Sequence, residues 1–253
     1  MNIDAPRKKD LPALKALWQQ AFGDSDTFAD AFFQHGFRQD RCRCLYLEDK
    51  PAAALYWFDC TWQDHPVAYL YGVATDQQHQ NKGLCRALME DTHRHLKNSG
   101  YAGAALVPST QDLFRLYEKL GYRAFCPMTT ATVLGAPTAA PDLRAVHAED
   151  YAILRRKHLP EGSILQGGDA LAFAATFAQF YVGEQLLFCV SKDADTLYFQ
   201  EYWGDPAAAP AVIHALGAAK GSLRIPGNGP DFAMYLPLDG KVSLPVYFGI
   251  AMD

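Results

Sequence analysis

The sequence lacks the features that place a protein in a membrane or on a nucleic acid. It contains no run of about eighteen apolar residues, the length needed to cross a bilayer, so we expect no membrane partner. Residues 1–9 lack the apolar core of a signal peptide. No long lysine and arginine run occurs and the net charge is −5, which argues against nucleic acid. These absences predict a cytoplasmic protein, with a slight preference for an amine-bearing partner.

The cysteines show neither a metal-binding nor a disulfide pattern. The chain has six of them, none in a Cys-x-x-Cys pair, and most fall in or beside apolar stretches. Reduced, buried thiols therefore explain them better than disulfides or zinc ligands. We accordingly expect no metal.

What the chain does contain is typical of a globular protein. Of its 253 residues 49% are apolar and 20% charged, enough for one large domain or two small ones. The most informative stretch, 68–125, has an apolar strand at 68–75, a polar loop at 76–82, a helix opened by Gly83 and a strand at 101–107. This order predicts a right-handed parallel crossover. The residues that share one face of the helix are Leu84, Ala87, Leu88, Thr92 and Leu96.

The loop before this helix has the features of an anion site. The first backbone N–H groups of a helix lack intrahelical partners, and the helix dipole is positive there. Gly83 lets the backbone approach a phosphate closely, and Lys82 and Arg86 add positive charge. A glycine at a strand-to-helix turn often serves only to make the turn and binds no ligand. The loop alone therefore leaves phosphate binding open.

Two motifs in this stretch are similar to those of a known family. Gln80, Gly83 and Cys85 occupy the defined positions of the loop Arg/Gln-x-x-Gly-x-Gly/Ala, although Cys85 departs from the usual Gly or Ala. Residues 116–122 are similar to a second motif, Leu-Tyr-x-Lys-x-Gly-Phe/Tyr. Both motifs belong to the Gcn5-related N-acetyltransferase (GNAT) family and occur here in that family's order. Residues 1–134 resemble the family in layout.

The resemblance implies a mixed-sheet α/β protein with the acyl-CoA N-acyltransferase fold, which transfers acetyl from acetyl-CoA to a primary amine of a small molecule or peptide. It implies that Tyr117 protonates the leaving thiolate, although the spacing of its helix alone predicts a core aromatic. Backbone groups of the strand at 68–75 would bind the pantetheine arm and polarise the thioester carbonyl. The implied cofactor-binding residues are Val73, Ala74, Thr75, Gln80, Asn81, Lys82, Gly83, Leu84, Cys85 and Arg86.

The rest of the chain predicts a second domain. Residues 134–142 contain two prolines, a glycine and small residues, so we expect a linker between domains at 1–134 and 142–253. The second domain faintly repeats the order of the first, with helices predicted at 169–181 and 207–220. We interpret it as a degenerate tandem copy, with an unrelated small α+β domain as the alternative.

This second domain lacks an equivalent of the anion loop. After a strand predicted at 196–203 the sequence continues Gly204-Asp205-Pro206-Ala207. An acid and a proline without an N–H replace the glycine-led turn. We therefore expect this half to bind no cofactor.

The general base is not identified by the sequence. Tyr69 and Tyr71 share one face of their strand, but a tyrosine is a poor base at its ordinary pKa. Glu48, Asp59 and Glu201 are carboxylates in or beside strands, where an edge charge is their more ordinary role.

The acceptor and the oligomeric state, monomer or homodimer, also stay open. Three acids fall where the family often places its acceptor, although helix capping explains them as well. Three histidines near the anion loop are expected at the surface rather than on a metal. A rival function is a catalytically inactive acyl-CoA-binding sensor. These acids and histidines are Asp24, Asp26, Asp30, His79, His93 and His95.

Overall fold

The computed structural model describes residues 1–139, 141–240 and 243–252. The elements up to residue 134 are β1 (Asn2–Asp4), α1 (Leu11–Phe22), α2 (Asp26–Ala31), β2 (Cys42–Leu47), β3 (Lys50–Trp62), β4 (His65–Thr75), α3 (Leu84–Asn98), β5 (Gly103–Leu106), α4 (Gln111–Glu118) and β6 (Arg123–Leu134). Those after it are β7 (Arg144–Val146), α5 (Ala148–His158), β8 (Ser163–Gln166), α6 (Gly168–Ala174), β9 (Gln179–Val182), β10 (Leu187–Asp193), β11 (Thr196–Trp203), α7 (Ala209–Ala215), β12 (Lys220–Pro237) and β13 (Tyr247–Phe248).

One mixed sheet runs through the described part of the molecule, in the order β1-β2-β3-β4-β5-β12-β11-β10-β9-β7. Strands β4 and β5 are parallel and α3 connects them, which confirms that the crossover is a parallel one. On α3, Leu88, Thr92 and Leu96 are fully buried, so the apolar face packs as its spacing predicts. The mixed α/β fold class expected from the sequence is therefore confirmed.

The long strand β12 joins the two halves of the chain. Its first residues pair in parallel with β11, beginning at Thr196 and Lys220. Its last residues lie between β5 and β6, where Met234 pairs with both Leu106 and Ala124. A register shift separates the two parts of this one strand. The second half thus supplies a strand to the sheet of the first.

The strand order is alike on the two sides of β12. In each half four antiparallel neighbours lead to one parallel neighbour: β1-β2-β3-β4 then β5, and β7-β9-β10-β11 then β12. Each half also has a register shift in its last antiparallel pair, next to Tyr56 in one and Val190 in the other. This likeness supports the prediction of a degenerate second copy. The division into 1–134 and 142–253 stays a prediction, and β12 crosses between its two parts.

Two helices predicted in the second half are shorter in the structure. The helix predicted for 169–181 ends at Ala174, and β9 follows it. The helix predicted for 207–220 contains only α7, because β12 already begins at Lys220. Alanines favour helix locally, but burial of Phe180 and Val182 in the sheet outweighs that propensity.

The two halves also share a core. Phe173 of α6 contacts Phe32 and Phe58 of the first half, with ring centroids 5.4 and 6.2 Å apart. Strand β8, which the sequence did not predict, pairs with β3 through Gln166 and Cys60. The second half therefore packs directly against the first, through a shared core and a strand pairing.

Other global expectations concern membranes and thiols. Within the described ranges, no helix has both the length and the apolar character needed to cross a bilayer. All six cysteines are free thiols, and only Cys85 is not fully buried. The predicted burial is therefore confirmed for five of the six.

Candidate active site

Strands β4 and β5 separate after a short paired segment. Their pairing ends at Tyr69 and Ala105, although β4 continues to Thr75. Opposite β3, Gly72 and Val73 form a bulge with Gly72 at φ 62, a conformation that favours glycine. A side chain at 72 would also collide with the ring of Trp18. The backbone of β4 therefore turns polar groups toward an open cleft between the two strands.

The N-terminus of α3 lies open beside this cleft. Gly83 is its N-cap in the left-handed conformation, φ 79, and no side chain caps the first turn. A Cβ built on Gly83 has no heavy atom within 4 Å, so the space next to it is free. The exposed residues 80–83 precede helix N–H groups without intrahelical partners. A free space in front of uncapped helix N–H groups is the kind of place that favours an anion.

Side chains of the loop fix its shape. The Asp76 carboxylate accepts hydrogen bonds from the Gln78 N–H at 3.0 Å and from the His79 ring at 2.9 Å. The His79 contact lowers the pKa of Asp76. Lys82 donates to the Gln78 carbonyl at 2.9 Å. Sequence reasoning missed Asp76, although an aspartate two residues before the N–H it binds is a known turn signal.

The predicted cofactor-binding residues of the loop have contacts and backbone conformations of their own. Gln80 donates to the Thr75 carbonyl at 3.3 Å, and Arg86 lies 3.8 Å from Glu90 on the helix surface. Asn81 has φ 60, a left-handed conformation that asparagine tolerates. The structure therefore brings the loop residues together around the turn.

The position of the Cys85 side chain explains why a cysteine can replace the motif's usual glycine or alanine. Its side chain packs against the apolar cluster that contains Leu88 and Tyr117, and burial raises the pKa of its thiol. Because the thiol lies on the core side of α3, a side chain larger than alanine fits at this position.

Tyr117 is both a core aromatic and a cleft residue. Its ring packs edge-on against Tyr122, with centroids 5.7 Å apart, and only 6% of the residue is exposed. The same side chain lines a cavity together with Val73 and Leu106. Burial raises the pKa of the Tyr117 phenol above its ordinary value. The phenol therefore holds its proton at neutral pH.

That cavity, which we call the β4–β5 cavity, has a volume of about 320 Å³. Strands β4 and β5, helices α1, α2 and α4, and the C-terminal segment form its wall. Among its lining residues Asp24 is the one charged side chain. The residues are Trp18, Phe22, Asp24, Phe28, Tyr69, Leu70, Tyr71, Gly72, Val73, Leu106, Val107, Pro108, Ser109, Leu113, Tyr117 and Met252.

The C-terminal segment reaches the cavity from the second half. Tyr71 donates its hydroxyl proton to the Met252 carbonyl at 2.7 Å, and the Met252 N–H lies 3.5 Å from the Tyr69 oxygen. The two tyrosines share a face as predicted, and both contact this segment. Sequence reasoning missed Met252 because no local pattern signals a contact across some 180 residues.

The carboxylates considered as general bases do not line the cavity. Glu201 is buried and accepts hydrogen bonds from Arg155 at 2.8 Å through both its oxygens. Asp59 pairs with Arg41 at 2.9 Å. Glu48 lies in a separate depression near the N-terminus. Glu201 and Asp59 are thus held in ion pairs, and none of the three carboxylates lines the cavity.

Of the three acids near the predicted acceptor site, only Asp24 faces the cavity. Its carboxylate accepts the Trp18 Nε1–H at 2.8 Å. Asp26 bonds to Gln19, and Asp30 pairs with Lys15. The N-cap of α2 is Ser25, so capping by these acids is not their role.

The histidines are less exposed than predicted. His93 contacts the Tyr122 hydroxyl at 2.9 Å, and burial lowers its pKa to about 4. All three histidines are partly exposed, so they lie at the surface as expected but are less open to solvent than free surface residues. Across the described ranges, no group of three or more histidines, cysteines and acids is placed to hold a metal ion.

Comparisons with known proteins agree with this geometry. A family model described as an acetyltransferase (GNAT) domain matches residues 2–125. No curated protein sequence matches the chain. Residues 2–125 therefore match the GNAT acetyltransferase family by its model, as the two motifs predicted.

Solved structures extend the likeness to nearly the whole chain. A GCN5-related N-acetyltransferase from Anabaena variabilis has a TM-score of 0.74 at 15% identity, covering 94% of this chain and 73% of that one. Another from Kribbella flavida has a TM-score of 0.71 at 16% identity, covering 94% and 72%. Eis1 from Mycobacterium abscessus has a TM-score of 0.68 at 13% identity, covering 94% and 74%. At these identities the likeness shows the acyltransferase fold and not the substrate.

Proposed function

We propose that this protein transfers the acetyl group of acetyl-CoA to a primary amine. The observation that carries the proposal is the open N-terminus of α3 at Gly83, beside a cleft that leads to Tyr117. An anion cradle and an acid group in one cleft suit a donor with a diphosphate at one end and a thioester at the other.

The chain's own groups have distinct tasks in binding this donor. The N–H groups of Leu84, Cys85 and Arg86 hold the diphosphate, and Gly83 leaves room for it. Gln80, Asn81 and Lys82 shape the turn that presents those groups. The backbone of Val73, Ala74 and Thr75 pairs with the amides of the pantetheine arm where β4 has lost its β5 partner.

The reaction follows from this placement. The donor supplies an activated acyl carbon, and the N–H groups near Val73 and Ala74 polarise its carbonyl. The nitrogen lone pair of a neutral amine forms the C–N bond, and the C–S bond breaks. Tyr117 gives its proton to the departing thiolate and regains one from solvent, while the amine releases its proton to water.

Tyr117→Phe tests this role directly. We expect acetyl transfer, followed as release of free CoA thiol with a panel of amines, to fall about ten-fold or more, because one proton donor is lost. The affinity for CoA should stay within about two-fold, since the phenylalanine keeps the packing. Tyr198→Phe, at an exposed tyrosine of the second half, is the matched control.

Two outcomes would contradict the proposal. Full turnover in Tyr117→Phe would remove that residue from the chemistry. Tight acyl-CoA binding without thiol release on any amine would instead favour the acyl-CoA-binding sensor.

A further inference from the structure

The wall of the β4–β5 cavity beyond Tyr117 is aromatic. The indole of Trp18 packs against Phe22 with ring centroids 5.0 Å apart and against Tyr71 at 5.5 Å. Phe28 of α2 lines the same side. Phe22 is 43% exposed, which is unusual for a large apolar ring at the mouth of a cavity. The partly exposed rings of Phe22, Phe28 and Tyr71 therefore face the cavity, and the indole of Trp18, which is 2% exposed, supports them from behind.

Asp24 is fixed at this aromatic wall. Gly23 ends α1 in the left-handed conformation, φ 69, and turns the chain so that Asp24 comes back toward Trp18. One carboxylate oxygen accepts the Trp18 indole N–H at 2.8 Å. In the described ranges no hydrogen bond engages the other oxygen. Asp24 is half-buried, so this oxygen can take a cationic partner at reduced cost of desolvation.

The size and charge of the cavity limit the acceptor. A volume of about 320 Å³ lies at the lower end of small-molecule sites, and the thioester end of the donor takes part of it. One carboxylate matches one ammonium group. A polyamine or an aminoglycoside carries several positive charges that this wall would leave unpaired.

We propose that the acceptor is a small monoamine with a flat aromatic body, of the arylalkylamine type. The rings of Phe22, Phe28 and Tyr71 bind the body, and Asp24, held by the Trp18 indole, pairs with the ammonium as it arrives. The ammonium then gives one proton to water, and the neutral amine attacks the thioester near Tyr117. This inference rests on the proposed function and specifies the substrate of the same site.

The test compares aromatic monoamines with an aliphatic monoamine, a polyamine and a peptide. Acetyl transfer to 2-phenylethylamine and tryptamine is measured beside n-propylamine, spermidine and a short peptide with a free N-terminus, while calorimetry follows CoA binding. We expect kcat/KM for the aromatic amines to exceed that for n-propylamine by about 100-fold, as burial of a phenyl ring predicts. Spermidine and the peptide should be poorer than the aromatic amines.

Two variants separate binding from folding. Asp24→Asn and Phe22→Ala should each raise the KM for 2-phenylethylamine about ten-fold, with kcat and CoA affinity within about three-fold. Both residues are partly exposed, so the melting temperature should hold. Asp26→Asn, two residues along and outside the cavity, is the control and should leave KM unchanged.

The outcomes distinguish this inference from the proposed function. Faster transfer to spermidine or to the peptide than to the aromatic amines overturns the acceptor class and keeps acetyl transfer. An unchanged KM in Asp24→Asn and Phe22→Ala also overturns it. Absence of both CoA binding and transfer overturns the function and the inference together.

Discussion

The two strand-to-helix junctions of this molecule have the same place in the topology and opposite chemistry. Between β4 and α3 the turn is exposed, Gly83 is left-handed, and the first N–H groups of a 15-residue helix are open. Between β11 and α7, Asp205 uses its own carboxylate to accept the Ala207 N–H at 2.9 Å, and Pro206 has no N–H to give. An internal carboxylate thus stands where an external anion would bind. The difference teaches that strand order does not by itself make a cofactor site.

The second half contributes to the site in another way. The buried pair of Arg155 and Glu201 is joined by Tyr247, whose hydroxyl donates to Glu201 at 3.3 Å. A side chain at Gly249 would collide with the same carboxylate. Further along, Met252 lines the β4–β5 cavity of the first half. The second half therefore holds the segment that closes the first half's cavity.

The largest expected effect concerns this buried pair. Glu201→Ala leaves the Arg155 guanidinium buried without a counter-charge, so we expect the free energy of unfolding to fall by about 3–5 kcal/mol. Denaturant unfolding measures it. Glu184→Ala, at an exposed acid of the same half, should change stability by less than about 0.5 kcal/mol. Equal effects of the two variants would show that the pair does not hold the second half together.

A smaller effect concerns the pH dependence of stability, which a histidine on the helix after the first junction should control. His93 of α3 has its pKa lowered to about 4 by burial, so the unfolded chain binds its proton more readily than the folded one. This contribution is complete above pH 6.5 and is lost as the pH falls toward 4. His93→Gln should reduce the difference in unfolding free energy between pH 7 and pH 5 by about 1–2 kcal/mol.

The control for His93 is His214→Gln, on the exposed side of α7. It should leave the pH dependence as it is. A wild-type pH dependence in His93→Gln would show that this imidazole is protonated as easily in the folded protein as in the unfolded chain.

The smallest effect concerns the second junction itself. Asp205→Ala removes a side-chain cap and should cost about 1 kcal/mol of stability. It should not create a second CoA site, because Pro206 still lacks an N–H. Calorimetry should give one CoA per chain for wild type and variant, and exposed Asp193→Ala is the stability control. Two CoA molecules bound per chain would contradict the claim that only the first junction binds CoA.

Much of the first half could be predicted because its signals are local. The spacing of Leu88, Thr92 and Leu96 predicted the buried face of α3, and Gly83 marked the turn. In the second half the alanine-rich segment before β9 was mistaken for helix, because the sheet partners of Phe180 lie far away in sequence. The strand shared between the halves and the position of Met252 depend on long-range packing, which no local pattern encodes.

The most direct test of the account is CoA binding to a matched pair of glycine variants. Gly83→Ala and Gly100→Ala impose the same strain, since φ is 79 and 85 and neither new Cβ meets a neighbour within 4 Å. Only Gly83 faces the proposed diphosphate. We predict by calorimetry that Gly83→Ala weakens CoA binding about ten-fold or more, and that Gly100→Ala stays within about two-fold of wild type. Wild-type affinity in Gly83→Ala, or an equal loss in both variants, would contradict an anion site at the start of α3.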